Sequence, residues 1–202
     1  MMSLAIASLT VAGLTTTNTY AATGCSIDWG ASCFTTTAVQ VSILPGNMSI
    51  GGAWVFNFGT FTASSSAQTV SGAFAGTGWY FFVDDLRGAD AGYYTTVQLD
   101  ADLAGPGTAT LPRANIFVRT LWVGSAGITT MAGTANTNVQ VQSAMSSFQS
   151  LDTARQLIIR NTTTNNGIIG KYGVLPQLQL LIPAYQAVGT YTGTITYTLY
   201  TN

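Results

Sequence analysis

The sequence predicts an all-β fold, a single antiparallel β-sandwich or jelly-roll-like domain of about eight to ten strands. Three observations predict it. Apolar residues recur at every second position along much of the chain, the period of a strand with one buried face. Clusters of Gly, Pro, Asn and Asp separate these runs and supply turns. The polar quota is filled by Thr, Ser, Asn, Gln and Gly, because only 6% of residues are charged while 47% are hydrophobic; globular chains are about 25% charged. Thr favours pleated strands, and Gly and Asn favour turns. A length of 202 residues suits one such domain.

Each strand follows from its own pattern. Val39, Val41 and Ile43 alternate with Gln40 and Ser42, predicting a half-buried strand. Val139 and Val141 alternate with Gln140 and Gln142, and Leu178, Leu180 and Ile182 with Gln177 and Gln179. Near the end, Tyr191, Gly193, Ile195, Tyr197 and Leu199 share one face, and Thr190, Thr192, Thr194, Thr196 and Thr198 the other. Residues 54–61 and 79–83 are aromatic or apolar on both faces, as central strands are. Residues 116–123 and 93–99 complete the set. Residues 142–155, with Met145, Phe148 and Leu151 three apart, have room for one short helix or turn. No internal repeat and no linker interrupts the series. Asn47-Met48-Ser49 and Asn161-Thr162-Thr163 match the glycosylation pattern.

The chemistry of the chain is restricted. There is no His and no Glu, so neither a Ser-His-Asp nor a Cys-His pair can form, and the reading is of a protein that is not an enzyme. No His-based metal site is possible, and two Cys make a poor zinc site; no metal and no cofactor is expected. Asp84 and Asp85 are adjacent, so on a strand they point to opposite faces and cannot flank one glycosidic bond. With six basic and seven acidic residues and a net charge of -1, there is no basic stripe for nucleic acid. So little charge gives little mutual repulsion, which leaves self-association open.

The N-terminus predicts export. Residues 1–14 are apolar and small, and Thr19-Tyr20-Ala21 offers a cleavage site after Ala21, so residues 1–21 read as a signal peptide. The apolar stretch is well short of the ~20 residues a bilayer span requires, so no membrane span is expected in the mature form. Residues 22–36 form a segment in which Cys25 and Cys33 are expected to pair as a disulfide, as an even, close pair in an exported chain does. The β-domain then covers residues 37–202.

Three stretches resemble the WxL domain of Gram-positive bacterial surface proteins. Val83-Asp84-Asp85-Leu86-Arg87-Gly88 followed by Gly92-Tyr93 is similar to the family's strand, Asp-x-Arg-Gly turn and Gly-Trp. Gly170-Lys171-Tyr172-Gly173, with Pro176 and the run from Leu178 to Pro183, resembles its Gly-x-Tyr and Leu-x-Leu-x-Ile-Pro segments. Gly189-Thr190-Tyr191 through Leu199 resembles its closing strand. Leu44-Pro45-Gly46-Asn47-Met48-Ser49-Ile50 is a weaker match to its opening segment. Together these cover residues 37–201. Where the family has its two Trp-x-Leu motifs, this chain reads Tyr93-Tyr94-Thr95 and Tyr197-Thr198-Leu199. The resemblance implies an exported domain at the cell surface, held non-covalently on peptidoglycan or on other surface proteins.

The candidate binding residues are Tyr93, Tyr94, Tyr197, Leu199, Asp85 and Arg87. The tyrosines and Leu199 read either as an amphipathic patch for sugar rings or a partner, or as core, because Tyr197 and Leu199 share a face with Ile195. Asp84, Asp85, Arg87 and Asp90 surround one turn. They read either as a carboxylate cluster for a cation or polar ligand, or as an Arg87–Asp ion pair with Asx turns. The Thr ladder of residues 190–198 reads as a solvated face or as a pairing surface for another subunit. A different class of function, a structural subunit of an extracellular filament or surface layer, is the alternative.

Overall fold

The structure is a computed structural model that describes residues 39–52, 55–73, 80–88, 91–121, 128–161 and 169–201. The expected signal peptide, Cys25 and Cys33 lie outside the described residues. The chain divides into two units, Met1–Ser42 and Ile43–Asn202, and the sheets belong to the second.

The fold is all-β and sandwich-like. Among the described residues there are thirteen strands: β1 (Met48–Gly51), β2 (Gln68–Ala73), β3 (Phe81–Asp85), β4 (Tyr93–Leu99), β5 (Leu103–Ala104), β6 (Thr110–Leu111), β7 (Ile116–Leu121), β8 (Thr129–Gly133), β9 (Val139–Val141), β10 (Gln149–Ser150), β11 (Arg155–Arg160), β12 (Gly170–Ile182) and β13 (Ile195–Thr201). Three of them, β5, β6 and β10, are two-residue ladders that carry no hydrophobic period of their own, which is why the count exceeds the eight to ten expected. Among the described residues helix is confined to two 3-10 turns, Arg113–Asn115 and Ser143–Ser146. The second lies where a short helix was expected, with Met145 and Leu151 buried near it.

β12 organises the larger, seven-stranded sheet. Its first half, from Gly170 to Val174, pairs with β3 and β8; its second half pairs with β7 and β2. The registers of β3 and β8 overlap, as do those of β7 and β2, so β3 and β2 share one edge of β12 and β8 and β7 the other. Pro176 falls in the two-residue gap between the β3 and β2 ladders, where a missing N–H removes no bond on that side. β1 extends this sheet beyond β3, and β10 extends it beyond β7. The second sheet runs β13-β4-β11-β9.

The two inner faces share one core. Phe81, Val83, Val118, Tyr172, Val174 and Leu178 come from the first sheet, and Tyr93, Val97, Leu99, Leu157 and Val139 from the second. The ring of Phe81 stacks on that of Tyr197 across the sheets, with centroids 4.6 Å apart. The alternation that predicted β4 is the alternation observed, with residues 93, 95, 97 and 99 buried and those between them half-buried.

Two expected strands are not strands. Val39, Val41 and Ile43 lie in extended chain that joins no ladder, and all three are exposed; alternation provides a face but not a neighbour. Residues 55–64 also lie outside any strand. There the Asn57 side chain accepts a hydrogen bond from Gly59 N–H at 2.8 Å, and Gly59 has φ 96°, a turn that breaks the extension. Phe56 and Phe58 pack edge-to-face, centroids 4.7 Å apart, against the core instead of pairing. Trp54 and Trp79 lie outside the described residues. The closing strand begins at Ile195 rather than Tyr191, because before it only Thr192 makes an isolated bridge, to Ala104.

Candidate functional site: an uncharged tyrosine–threonine–glutamine face

The sequence candidates separate into two groups. Asp85, Arg87 and Tyr93 belong to a buried polar cluster. Asp85 ends β3 fully buried and Arg87 follows in the turn. The Arg87 Nε and Nη2 groups donate to the two carboxylate oxygens of Asp85 at 2.9 and 3.1 Å, and Arg87 N–H donates to the same carboxylate at 3.2 Å. Arg160, at the end of β11 in the other sheet, donates to Asp85 Oδ2 at 2.6 Å. A further bond from Arg87 to the Ala91 carbonyl, 2.9 Å, closes the turn. Burial by itself would raise the Asp85 carboxyl; the hydrogen bonds and charge of Arg87, with Arg160 behind, outweigh it and hold the group below the usual 3.8. The arrangement is a clamp between the two sheets. Among the described residues no group of three or more His, Cys, Asp or Glu converges as metal ligands would.

Tyr93 is 0% exposed, so it is a core residue and not a surface contact. The β4 alternation turns it inward with Val97 and Leu99. Its ring lies 5.9 Å from the Arg87 guanidinium, and burial and then the nearby Asp85 charge push its hydroxyl well above the usual phenol range. That hydroxyl has no hydrogen-bond partner among the described residues. Tyr197 and Leu199 also face inward and pack on the core half-buried; burial pushes the Tyr197 hydroxyl up to about 12. These three follow the inward of the two readings.

Tyr94 alone of the sequence candidates lies on the outer face. In β4, residues 94, 96 and 98 point away from the core, and register carries that face across the sheet. Tyr94 is opposite Tyr200, Thr96 opposite Thr198 and Gln98 opposite Thr196. On the other side, Thr96 is opposite Gln156 and Tyr94 opposite Ile159, and Ile159 is opposite Gln140. Two aromatic rings, three Thr hydroxyls, three Gln amides and one Ile make this surface, and none is charged. The rings of Tyr94 and Tyr200 stack with centroids 4.8 Å apart and planes 14° apart, forming a ridge with two hydroxyls. Gln142 donates to Gln156 at 3.0 Å and Thr196 donates to Asp100 at 3.0 Å, which orients groups at the border. The outer face of the larger sheet differs: it carries Asp84 opposite Lys171, with Lys171 Nζ 3.7 Å from the Phe82 ring centroid, and Arg119 bonded to Gln177 at 2.6 Å.

Sequence reasoning missed Tyr200 and Arg160. Tyr200 continues the parity of Thr196 and Thr198, so extending the Thr face by one step would have found it. Arg160 ends an apolar run 75 residues from Asp85, and nothing local ties the two together.

Fold and face together define a class: an all-β, sandwich-like domain with an uncharged aromatic–hydroxyl–amide sheet face on one side and a charged one on the other. Comparison with protein-family models, with curated proteins and with solved structures finds no match to this chain.

Proposed function

We propose that this protein is an exported cell-surface domain that attaches non-covalently to peptidoglycan through the outer face of the β13-β4-β11-β9 sheet. The observation that carries the reading is the composition of that face. Sugar rings present apolar C–H faces and a fringe of hydroxyl and amide groups. Stacked tyrosines match the first, and Thr hydroxyls and Gln amides, each both donor and acceptor, match the second. The resemblance of the sequence to WxL surface domains supports the same reading. The role is binding and not catalysis: the chain lacks His and Glu, and the buried carboxylate of Asp85 is engaged by two arginines.

Cosedimentation with purified, protein-free wall sacculi tests it. The purified chain is expected to pellet with the sacculi, and the Tyr94→Ala, Tyr200→Ala double variant to lose about tenfold or more in affinity. Since the face has no charge, retention should persist in about 1 M salt, where attraction to charged wall polymers is screened. A chain that stays in the supernatant, or whose binding ignores both tyrosines, refutes the proposal; retention on walls that still carry their proteins, but not on bare sacculi, would assign a protein partner instead.

A further inference from the structure

A cleft of about 750 Å³ opens between the sheets at one end of the second unit. Its floor is core: Leu99, Leu103, Leu178, Leu180, Ile195 and Tyr197. Its rim is residues 55–64 and 186–194, neither of which forms a strand. Two sheet edges flank it. Among the described residues β13 pairs only with β4 and β2 only with β12, so each presents unpaired backbone groups beside an apolar trough. A trough with a free edge on each side is the shape left when a sandwich lacks a strand.

The chain also contains an unpaired segment of matching character. Val39, Val41, Ile43 and Leu44 are 92, 81, 90 and 83% exposed, the first three alternate as a strand would, and no charge lies between Val39 and Leu44. Exposed apolar side chains in strand register carry a standing cost in water that burial against a second apolar surface removes.

Reach decides whose cleft the segment can enter. Gly46 N–H donates to the Leu86 carbonyl at 2.8 Å, which pins the segment's exit beside Asp85, opposite Gly170 at the start of β12. The cleft is lined by Leu178, Leu180 and Ile182, near the end of β12. Eight to twelve strand residues separate the two, roughly 26–40 Å. Ile43 lies three residues from Gly46 and spans at most about 11 Å, and even Val39, seven residues away, spans at most about 25 Å. The segment therefore cannot fill the cleft of its own copy.

We propose that residues 39–44 of one copy dock as an extended strand in the cleft of the next, along the free edge of β13, with the Val39, Val41 and Ile43 side chains on the apolar floor. Gly46, from which the segment leaves, lies near the start of β12 and the cleft near its end, so the contact joins unlike surfaces of two copies, and repeated head-to-tail it generates rings or open filaments.

Light scattering across a concentration series tests it with the purified chain. Mass is expected to rise with concentration. The Val41→Asp, Ile43→Asp double variant places two charges in the apolar cleft and should weaken association by roughly a hundredfold; both positions are exposed in the free chain, so the fold, read by circular dichroism, is unchanged. A synthetic peptide of residues 37–46 in excess should cap the cleft and return assemblies to monomers, and the peptide with the same two Asp substitutions should not. A benzophenone-bearing residue in place of Val41, in a mixture of isotope-labelled and unlabelled copies, should crosslink to cleft residues of the other copy. A chain that stays monomeric to about 1 mM, assemblies that survive the double variant, an inert peptide, or crosslinks confined to one copy would each overturn the proposal. The attachment reading stands or falls separately: the Asp variant should still pellet with sacculi, and the Tyr94→Ala, Tyr200→Ala variant should still assemble.

Discussion

Asp85 shows how much one buried group can carry in a chain with so few charges. It is bonded to two arginines from different parts of the fold, and a buried carboxylate is tolerated only when its lone pairs are engaged in this way. Replacing it by Asn removes the charge that Asp85 sets against Arg160 and Arg87, which are buried and half-buried. Asp85→Asn is expected to cost about 3–5 kcal/mol in urea unfolding. The same group sets an acid limit. Its folded-state pKa lies below the ordinary 3.8, so the stability it contributes is complete above that value and is lost as pH falls through the folded one. Unfolding midpoints should hold steady from neutrality down to about pH 5 and fall below about pH 4, with a shallower fall in Asp85→Asn. Tyr93 makes the opposite case. Its hydroxyl is buried without a partner among the described residues, so Tyr93→Phe should be neutral or stabilising, by no more than about 1 kcal/mol. It should leave sacculus binding unchanged, as a core residue must.

At the scale of elements, β12 is the strand on which the larger sheet depends, since four others pair with it. Its first half is held on one side by β8, whose last residue, Gly133, has φ 78° and lies opposite Gly170. A Cβ on Gly133 would come within 2.6 Å of the Ile169 carbonyl oxygen and 2.7 Å of Gly170 Cα. Both obstacles are backbone, and the conformation itself disfavours a side chain. Gly133→Ala should therefore destabilise by about 1–3 kcal/mol, with faster amide exchange across β8 and the start of β12 before the rest of the fold. β4 and β13 were readable element by element. Residues 93–99 alternate strictly, and the closing strand separated Thr from apolar faces with the correct parity. Residues 55–64 were not readable as a loop, because their aromatics carry a strand-like signal that the Asn57–Gly59 turn overrides.

Across the whole molecule, the two proposed surfaces are distinct in place and chemistry. The outer face of the smaller sheet is polar but uncharged and is suited to a sugar polymer. The cleft and the segment of residues 39–44 are both apolar. A chain using both would tether to the wall through one sheet face while joining further copies through the cleft, and neither contact draws on charge. The formal charge of -1 therefore leaves both nearly independent of ionic strength and provides little repulsion to keep copies apart.

The sequence by itself determined the all-β class, the two alternating faces of β4 and β13, an Arg87–Asp ion pair as one of two readings of the turn at residues 84–90, and the scarcity of acid–base groups. Each of these is local: a period of two, a turn motif or a composition is complete within a few residues. The tertiary structure decided which alternating segments became strands, that Arg160 reaches Asp85 from the other sheet, that Tyr94 lies beside Tyr200 outside while Tyr93 lies inside, and that a cleft is left open at one end. Val39, Val41 and Ile43 give the clearest case. Their pattern is as strand-like as that of Val139 and Val141, yet only the latter found a partner, because pairing depends on where other parts of the chain arrive and no short stretch of sequence records that.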